Sequence, residues 1–316
     1  MKDIRIAAAQ FEPANGDKKR NLDRMAALAE KAAATGARMV SFQEGAVTGY
    51  SFLRKADGER IRELAEPVPD GESTGKLVEM ARRLNVAVLA GLLEAEGETV
   101  YNTYVCVTKD GLAARHRKLH AFINPHISSG DEYTVFDHQG CRCGILICYD
   151  NNLPENVRMT ALRGAEILFM PHVTCCLPSD MPGRGTVAPA LWENRERDPA
   201  SLRREFLGPK GRGWLMRWLP ARAYENGIYV VFTNPVGMDD DQVRNGNAMI
   251  LDPYGEIIAE SVALGDDVVT ALCPAEKYER APGRRYLKAR RPELYAAMTD
   301  TSLAEGRTKP GWDTTA

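Results

Sequence analysis

No stretch of this 316-residue chain approaches the roughly 20 consecutive apolar residues that a membrane-spanning helix requires. Neither sign of charge is in excess: 41 Lys and Arg stand against 43 Asp and Glu, a formal net charge of -2. Nucleic acids and anionic membrane surfaces are met with a basic surplus, so both partner classes are set aside. The seven cysteines are odd in number and lack the spacing of a disulfide framework, which fits reduced thiols and a cytoplasmic location. Met1-Lys2-Asp3-Ile4-Arg5 leads straight into a strand-like segment, without the pattern of a signal peptide. There is no Walker loop, no G-x-G-x-x-G behind a strand and no H-E-x-x-H. No repeat period and no Pro/Ser-rich linker divides the chain. At 44% apolar and 27% charged residues, it has the make-up of an ordinary globular protein of one large or two smaller domains.

The residues present alternate between two periods. Strand-like apolar runs occur at 4–11, 37–43, 86–93, 143–148, 166–170 and 228–233, with a hairpin partner at 101–109 and a meander over 248–251, 257–260 and 268–272. Helical patterns fall between them, at 18–34 (capped by Asp17), around 59–66, and at 73–84, 153–163 and 214–225. Strands interleaved with helices predict one α/β domain over residues 1–281, its sheets covered by helices. Residues 178–213, rich in Pro, Gly and both charge signs, are too long for a plain connection and predict an insertion or lid. Residues 282–316 read as a C-terminal arm or tail.

Two chemical signatures are considered and rejected. Gly71-Glu72-Ser73-Thr74-Gly75 has the spacing of a serine nucleophile elbow, but Glu66-Pro67-Val68-Pro69-Asp70 before it cannot form the required strand. Ser73 is read instead as a helix N-cap. His116, His120 and His126, with Cys141 and Cys143, could suggest a metal site. Arg115, Arg117 and Lys118 beside them would repel a cation, so no metal and no cofactor is expected. Reactive groups of α/β proteins collect where strands end. Cys148 ends an apolar strand, just before Tyr149-Asp150 and the helix at Pro154, where backbone N–H groups favour a thiolate. Glu44 ends another buried strand, and Lys118 lies between two strands.

Taken together, these residues resemble the nitrilase superfamily of carbon–nitrogen hydrolases. The resemblance rests on Phe42-Gln43-Glu44-Gly45, Thr48-Gly49-Tyr50, Arg117-Lys118-Leu119-His120 and Gly144-Ile145-Leu146-Ile147-Cys148-Tyr149-Asp150. It extends through Arg163-Gly164-Ala165-Glu166, Ala221-Arg222-Ala223-Tyr224-Glu225-Asn226 and Gly246-Asn247-Ala248-Met249 to Arg291-Pro292-Glu293-Leu294-Tyr295. It implies a four-layer α-β-β-α sandwich that pairs into a homodimer or larger homo-oligomer. It also implies a metal-free triad: Glu44 as general base, Lys118 as oxyanion stabiliser and Cys148 as nucleophile, working through a thioester.

Cys148-Tyr149-Asp150 is the form of the amidase and carbamoylase branches. The implied substrate is therefore a small amide or N-carbamoyl compound. A nitrile, acyl transfer to an amine, or a non-catalytic binder on the same scaffold remain the alternatives. Many relatives carry a second glutamate between the Lys and the Cys. Here Asn124 or His126 takes that role, or Glu132 reaches in, or Glu132 is simply an exposed loop residue. Tyr50, Asn124, Tyr149, His172 and Thr174 are the expected substrate contacts, with Cys175 and Cys176 nearby. Arg222 and Asn226 are read as structural at least as much as substrate-binding. The arginines of the 178–213 stretch (Arg184, Arg195, Arg197, Arg203 and Arg204) predict a solvated, salt-bridged face, or a lid arginine that grips a substrate carboxylate.

Overall fold

A computed structural model describes residues 1–303. Residues 304–316 of the expected tail lie outside the described part. Five strands open the first sheet: β1 (Ile4–Gln10), β2 (Met39–Ser41), β3 (Ala87–Glu96), β4 (Thr99–Thr108) and β5 (Gly111–Arg117). Four open the second: β6 (Thr134–His138), β7 (Cys141–Ile145), β8 (Ile167–Pro171) and β9 (Tyr229–Thr233). A separate hairpin, β10 (Val236–Asp239) and β11 (Gln242–Asn245), follows. Then β12 (Met249–Leu251) and β13 (Ile257–Glu260) return to the second sheet and β14 (Asp267–Cys273) to the first. The strand orders are β14-β1-β2-β3-β4-β5 and β13-β12-β9-β8-β7-β6. In each sheet the central three strands are parallel, β1-β2-β3 and β7-β8-β9, with antiparallel strands outside them.

The period of two along each strand decides which layer a side chain joins. Ile4, Ile6 and Ala8 of β1, with Met39 and Leu89, pack in a core shared with Ile145, Ile167 and Phe169 of the second sheet. Ala7 and Ala9 turn the other way, with Val40, Val88 and Ala90. They pack under Met25, Leu28, Ala29 and Ala32 of α1 (Lys18–Ala34) and Leu77, Met80 and Ala81 of α3 (Glu72–Leu84), while the short α2 (Gly58–Leu64) buries Ile61 and Leu64 in a separate cluster with Tyr50 and Leu53. The far face of the second sheet is covered by Val157 and Ala161 of α4 (Pro154–Leu162). The result is helix, sheet, sheet, helix. Each fully buried Ile, Leu, Met or Phe of these layers contributes on the order of 1.5–3 kcal/mol.

Residues 178–213 hold α5 (Pro189–Glu193), α6 (Pro199–Leu207) and the start of α7 (Arg212–Leu215). Trp192, Leu202 and Phe206 are buried in the main core, so this stretch packs down rather than hanging free. The single helix expected over 214–225 is two, α7 and α8 (Leu219–Asn226), with Leu219 and Ala223 packed under the second sheet. Pro220 explains the break: it has no N–H to give the Met216 carbonyl and its ring crowds that carbonyl, yet it is tolerated in a first helical turn. Two short helices close the described chain, α9 (Ala275–Arg280) and α10 (Pro282–Lys288), before three 3-10 turns.

Asp17 caps α1 as expected, accepting from the Arg20 N–H. Ser73 does not cap α3. The N-cap is Gly71, and the Glu66 carboxylate takes both the Ser73 N–H (2.7 Å) and its hydroxyl (2.7 Å). Strands β5, β6, β10 and β11 are absent from the sequence reading. The last three are four or five residues long, and in all of them charged or polar residues interrupt the apolar pattern.

Candidate active site

The carboxyl ends of the parallel strands face one region, and the chemistry-bearing residues lie just beyond them. Glu44 follows β2 in a tight turn that needs Gly45 at φ +59°. A methyl group on Gly91 of β3 would come within 2.3 Å of the Gly45 nitrogen, so glycine there lets the turn lie against the sheet. Lys118 follows β5. Its neighbour Arg117 faces the other way, ion-paired to Glu94 at 2.6 Å and stacked 3.9 Å over Tyr101. That anchor leaves Lys118 pointing inward, fully buried.

Glu44 Oε1 accepts from Lys118 Nζ at 2.7 Å and from Asn102 Nδ2 at 2.7 Å, while Oε2 accepts from the Val173 N–H at 3.1 Å. Both side chains of the ion pair are wholly removed from solvent. A buried pair of this kind is weak evidence of stability, because desolvation offsets much of the attraction. Burial by itself would pull the Lys118 ammonium down. The negative charge of Glu44, with smaller contributions from the other acidic groups near it, overrides this and holds Lys118 well above its ordinary value. Lys118 also donates to Tyr50 Oη at 3.1 Å and lies 4.9 Å from the Phe122 ring centre. Tyr50 is kept a neutral phenol, chiefly by burial.

Cys148 sits three residues past β7 at φ +51°, the first residue of a 3-10 turn, Cys148–Asn151. A non-glycine residue held there signals a constraint from its surroundings. The constraint is visible. Asp150 accepts from the Ile147 N–H (3.1 Å) and also from the backbone N–H groups of Leu119 (3.2 Å) and His120 (2.9 Å). One carboxylate thus ties the residues after Lys118 to those before Cys148. Asn151 donates to the carbonyls of Leu146 (2.8 Å) and Cys148 (3.3 Å), and Arg222 grips the Asn151 and Asn152 carbonyls from α8.

The Cys148 thiol is pushed up to about 12 by burial first and by the Glu44 charge second, with Lys118 and a contact to the Val173 carbonyl (3.7 Å) pulling the other way. The sequence reading expected a thiolate favoured by the N–H groups of the following helix. Lys118 does act in that direction, but burial and Glu44 outweigh it. The resting sulfur is a thiol whose proton faces a carboxylate.

Cys148 opens onto a cavity of about 230 Å³. Tyr50, Tyr149, Thr174 and Trp214 are among the residues that line it. In the cavity wall Arg244, almost wholly buried, binds Asp239 (3.1 Å), the Ser51 hydroxyl (2.8 Å), Gln242 (2.6 Å) and the Cys175 carbonyl (3.1 Å). Asp239 also accepts the Ser51 N–H at 3.1 Å and bonds its hydroxyl. This cluster fastens the β10–β11 hairpin to the Tyr50 loop and to the loop after β8.

The structure therefore brings Glu44, Lys118 and Cys148 together and places Tyr50, Tyr149 and Thr174 around one cavity. Two expected substrate contacts lie outside its wall. Asn124 is a scaffold residue: its amide donates to the Leu53 (2.7 Å) and Ala56 (2.8 Å) carbonyls and accepts the His126 N–H. His172 lies under the nucleophile turn, 3.2 Å from Asn151 and packed on Phe232 and Trp218; burial holds it well below its ordinary value, hence neutral. Glu132 and His126 are exposed, and Glu132 is the loop residue of the plainer alternative. The partners of Glu44 are Asn102 and the Val173 N–H instead. Asn226 holds the Arg222 carbonyl and is structural.

His116 Nδ1 pairs with the Thr134 hydroxyl at 3.1 Å while its Nε2 faces Asp150 at 3.6 Å, and His120 pairs with Asn156 at 3.1 Å. Among the described residues no three His, Cys, Asp or Glu side chains gather as a metal site would require. Sequence reading missed Asn102, Asp239 and Arg244. The last two lie in a four-residue strand each, and nothing periodic marks them.

Comparison with known proteins follows the same path. The sequence model described as "Carbon-nitrogen hydrolase" matches residues 5–200 and 203–282. An (R)-stereoselective amidase of Pseudomonas sp is 31% identical over 304 residues, covering 94% of this chain and 95% of its own length. An omega-amidase of Homo sapiens is 28% identical, covering 94% and 98%. The fold superposes on an amidase from Nesterenkonia sp. AN1 with a TM-score of 0.69, at 23% identity, over 93% of this chain and 96% of that one; that structure carries an acetamide moiety on its active-site cysteine. The chain belongs to the carbon–nitrogen hydrolase family.

Proposed function

We propose that Glu44, Lys118 and Cys148 hydrolyse a small amide as base, oxyanion-stabilising cation and nucleophile. The carrying observation is the buried 2.7 Å contact between Glu44 and Lys118, beside Cys148, a buried residue that lines the cavity. Family membership makes the chain a hydrolase of C–N bonds other than peptide bonds, and its amidase relatives support amides over N-carbamoyl compounds as substrate.

Glu44 takes the thiol proton as sulfur attacks the carbonyl carbon, and the C=O pair moves onto oxygen. The Lys118 ammonium and the N–H of Tyr149, in the first turn of the 3-10 helix, meet that charge. The C–N bond then breaks, the nitrogen leaves with the proton from Glu44, and a thioester remains. Glu44 next deprotonates water, which attacks the thioester; the acid departs and the thiol is restored. No step calls on a metal or a cofactor.

Ammonia release measured over aliphatic amides, N-carbamoyl amino acids, N-carbamoyl amines and nitriles tests the reading. Turnover is expected on amides. Release from nitriles alone, or from none of the four, overturns it.

Residues 1–281 act as one hydrolase domain, with 178–213 as the cover over the cavity and, of the expected arm, 282–303 within the described residues. The arm's start packs on α8, where the Tyr286 and Tyr224 hydroxyls meet at 3.1 Å. The working unit is a homodimer. Met159, Leu162, Tyr224, Tyr286 and Met298 are large apolar side chains left 37–65% exposed on α4, α8 and the arm, an uneconomical surface for a monomer. Light scattering on the purified chain is expected to give twice 34.9 kDa, and Met159→Asp with Tyr286→Asp to halve it; a wild-type monomer at micromolar concentration refutes the pairing. The seven cysteines are all unpaired and buried, which supports a reducing, cytoplasmic setting.

A further inference from the structure

Three arginines line the cavity that holds Cys148, and no Asp or Glu does among the described residues. Two of the three have their counter-charge. Arg244 is neutralised by Asp239, and Arg54 is ion-paired with Asp240 (3.3 Å) and Asp241 (2.6 Å). Arg184, supplied by the 178–213 stretch, differs from both. Its side chain makes no ion pair and no hydrogen bond among the described residues, and its Nε is buried without a partner. Its guanidinium lies 3.9 Å over the ring of Trp214, which also lines the cavity. Burial pulls this cation down from its ordinary value, as expected for a half-buried charge without an acid beside it.

A partly desolvated guanidinium with an orphaned N–H is costly unless something completes it. Stacking on an indole fixes the plane of the group while leaving its N–H donors for a flat, two-oxygen acceptor. We propose that Arg184 on Trp214 is the anion subsite of this enzyme, and that the substrate is a small primary amide whose acyl chain ends in a carboxylate. The inference rests on the amidase reading above and names its substrate class. The acyl side is the one an anchor must hold, because that portion stays bound to Cys148 as the thioester while ammonia leaves. A cavity of about 230 Å³ lies below the range of about 300–1,000 Å³ that takes drug-sized ligands, which limits the chain to a few carbons.

The test compares kcat/KM for the monoamides of succinic and glutaric acid with that for their isopropyl isosteres, 4-methylpentanamide and 5-methylhexanamide. Wild type is expected to favour the carboxylates. In Arg184→Gln the carboxylate-to-isostere ratio is expected to drop about 10- to 100-fold, the range for hydrogen bonds to a charged group, and Arg184→Lys to retain part of it. A general loss of fold or activity lowers both substrates alike and leaves the ratio unmoved. A wild type with no preference for the carboxylates overturns the subsite, as does an unchanged ratio in Arg184→Gln or a preference that follows a carboxylate on the amine side. Turnover of the isosteres without preference would leave the amidase reading standing. Turnover of no amide would remove that reading as well.

Discussion

Replacing Cys148 by Ala is expected to lower amide turnover by about 10⁴- to 10⁶-fold, the scale seen when an enzyme loses the nucleophile of a linked catalytic unit. The physical case is direct. No other thiol faces Glu44 and Lys118: Cys175 and Cys176 are both fully buried, and burial raises each of them. The fold should survive, because the sulfur contributes only the long 3.7 Å approach to the Val173 carbonyl and a thiol contact to Glu44, while Asp150 and Asn151 hold the turn without it. The thermal midpoint should move by a few degrees at most. The pH profile carries a second part of the same expectation. With the thiol pushed up to about 12, the proton stays on sulfur throughout the working range, and attack requires its transfer to Glu44. The kcat/KM of the wild type should therefore show no thiol ionisation near the ordinary cysteine value of 9. Turnover retained in Cys148→Ala ends the covalent mechanism, whereas an inflection near 9 lost on Glu44→Gln would end only the neutral-thiol account.

What the sequence made legible, and what it hid, divides along physical lines. The layers were readable because both sheets are covered on both faces, so β1, β3 and β9 are nearly unbroken apolar runs while α1 and α3 keep a 3.6 period. Glu44 and Cys148 stood out as reactive types at the ends of such runs. Their meeting did not, since it depends on packing between two sheets more than 100 residues apart in sequence, and only the family resemblance joined them. The state of the sulfur went astray for a related reason. A neighbouring Lys118 and a following helix can be seen in the chain, but the burial that outweighs them belongs to the assembled core. Asn124 shows the opposite error. Its place between Lys118 and Cys148 suggested substrate contact, yet its amide closes the carbonyls of a 3-10 turn 68 to 71 residues earlier. The Asp239–Arg244 pair left no trace in a pattern of hydrophobicity, because both are charged residues buried for each other's sake.

Lys118→Met is the variant expected to cost both catalysis and stability. Methionine keeps much of the side chain's volume while removing its charge, so the Glu44 carboxylate stays buried with only Asn102 and the Val173 N–H as partners. Breaking a buried pair from one side typically costs about 3–5 kcal/mol, and urea unfolding should register a loss of that size. The catalytic loss has another origin. The ammonium is placed to meet charge that exists only as sulfur adds to the carbonyl, so kcat should drop by about 10²- to 10³-fold while KM changes little. The double variant Lys118→Met with Glu44→Gln separates the two effects. A neutral Gln no longer needs the cation, so stability should recover in part, while activity falls further because the base is gone as well. The sign of the pH dependence is also fixed. Lys118 is held above its ordinary 10.5, so the stability that it contributes is complete below that value and is lost only as pH rises through the higher folded-state value. The stability gap between wild type and Lys118→Met should accordingly hold from pH 7 to 9.5 and close only under more alkaline conditions. A gap that closes already near pH 8 would mean that the lysine titrates there, and that it is not the cation Glu44 keeps.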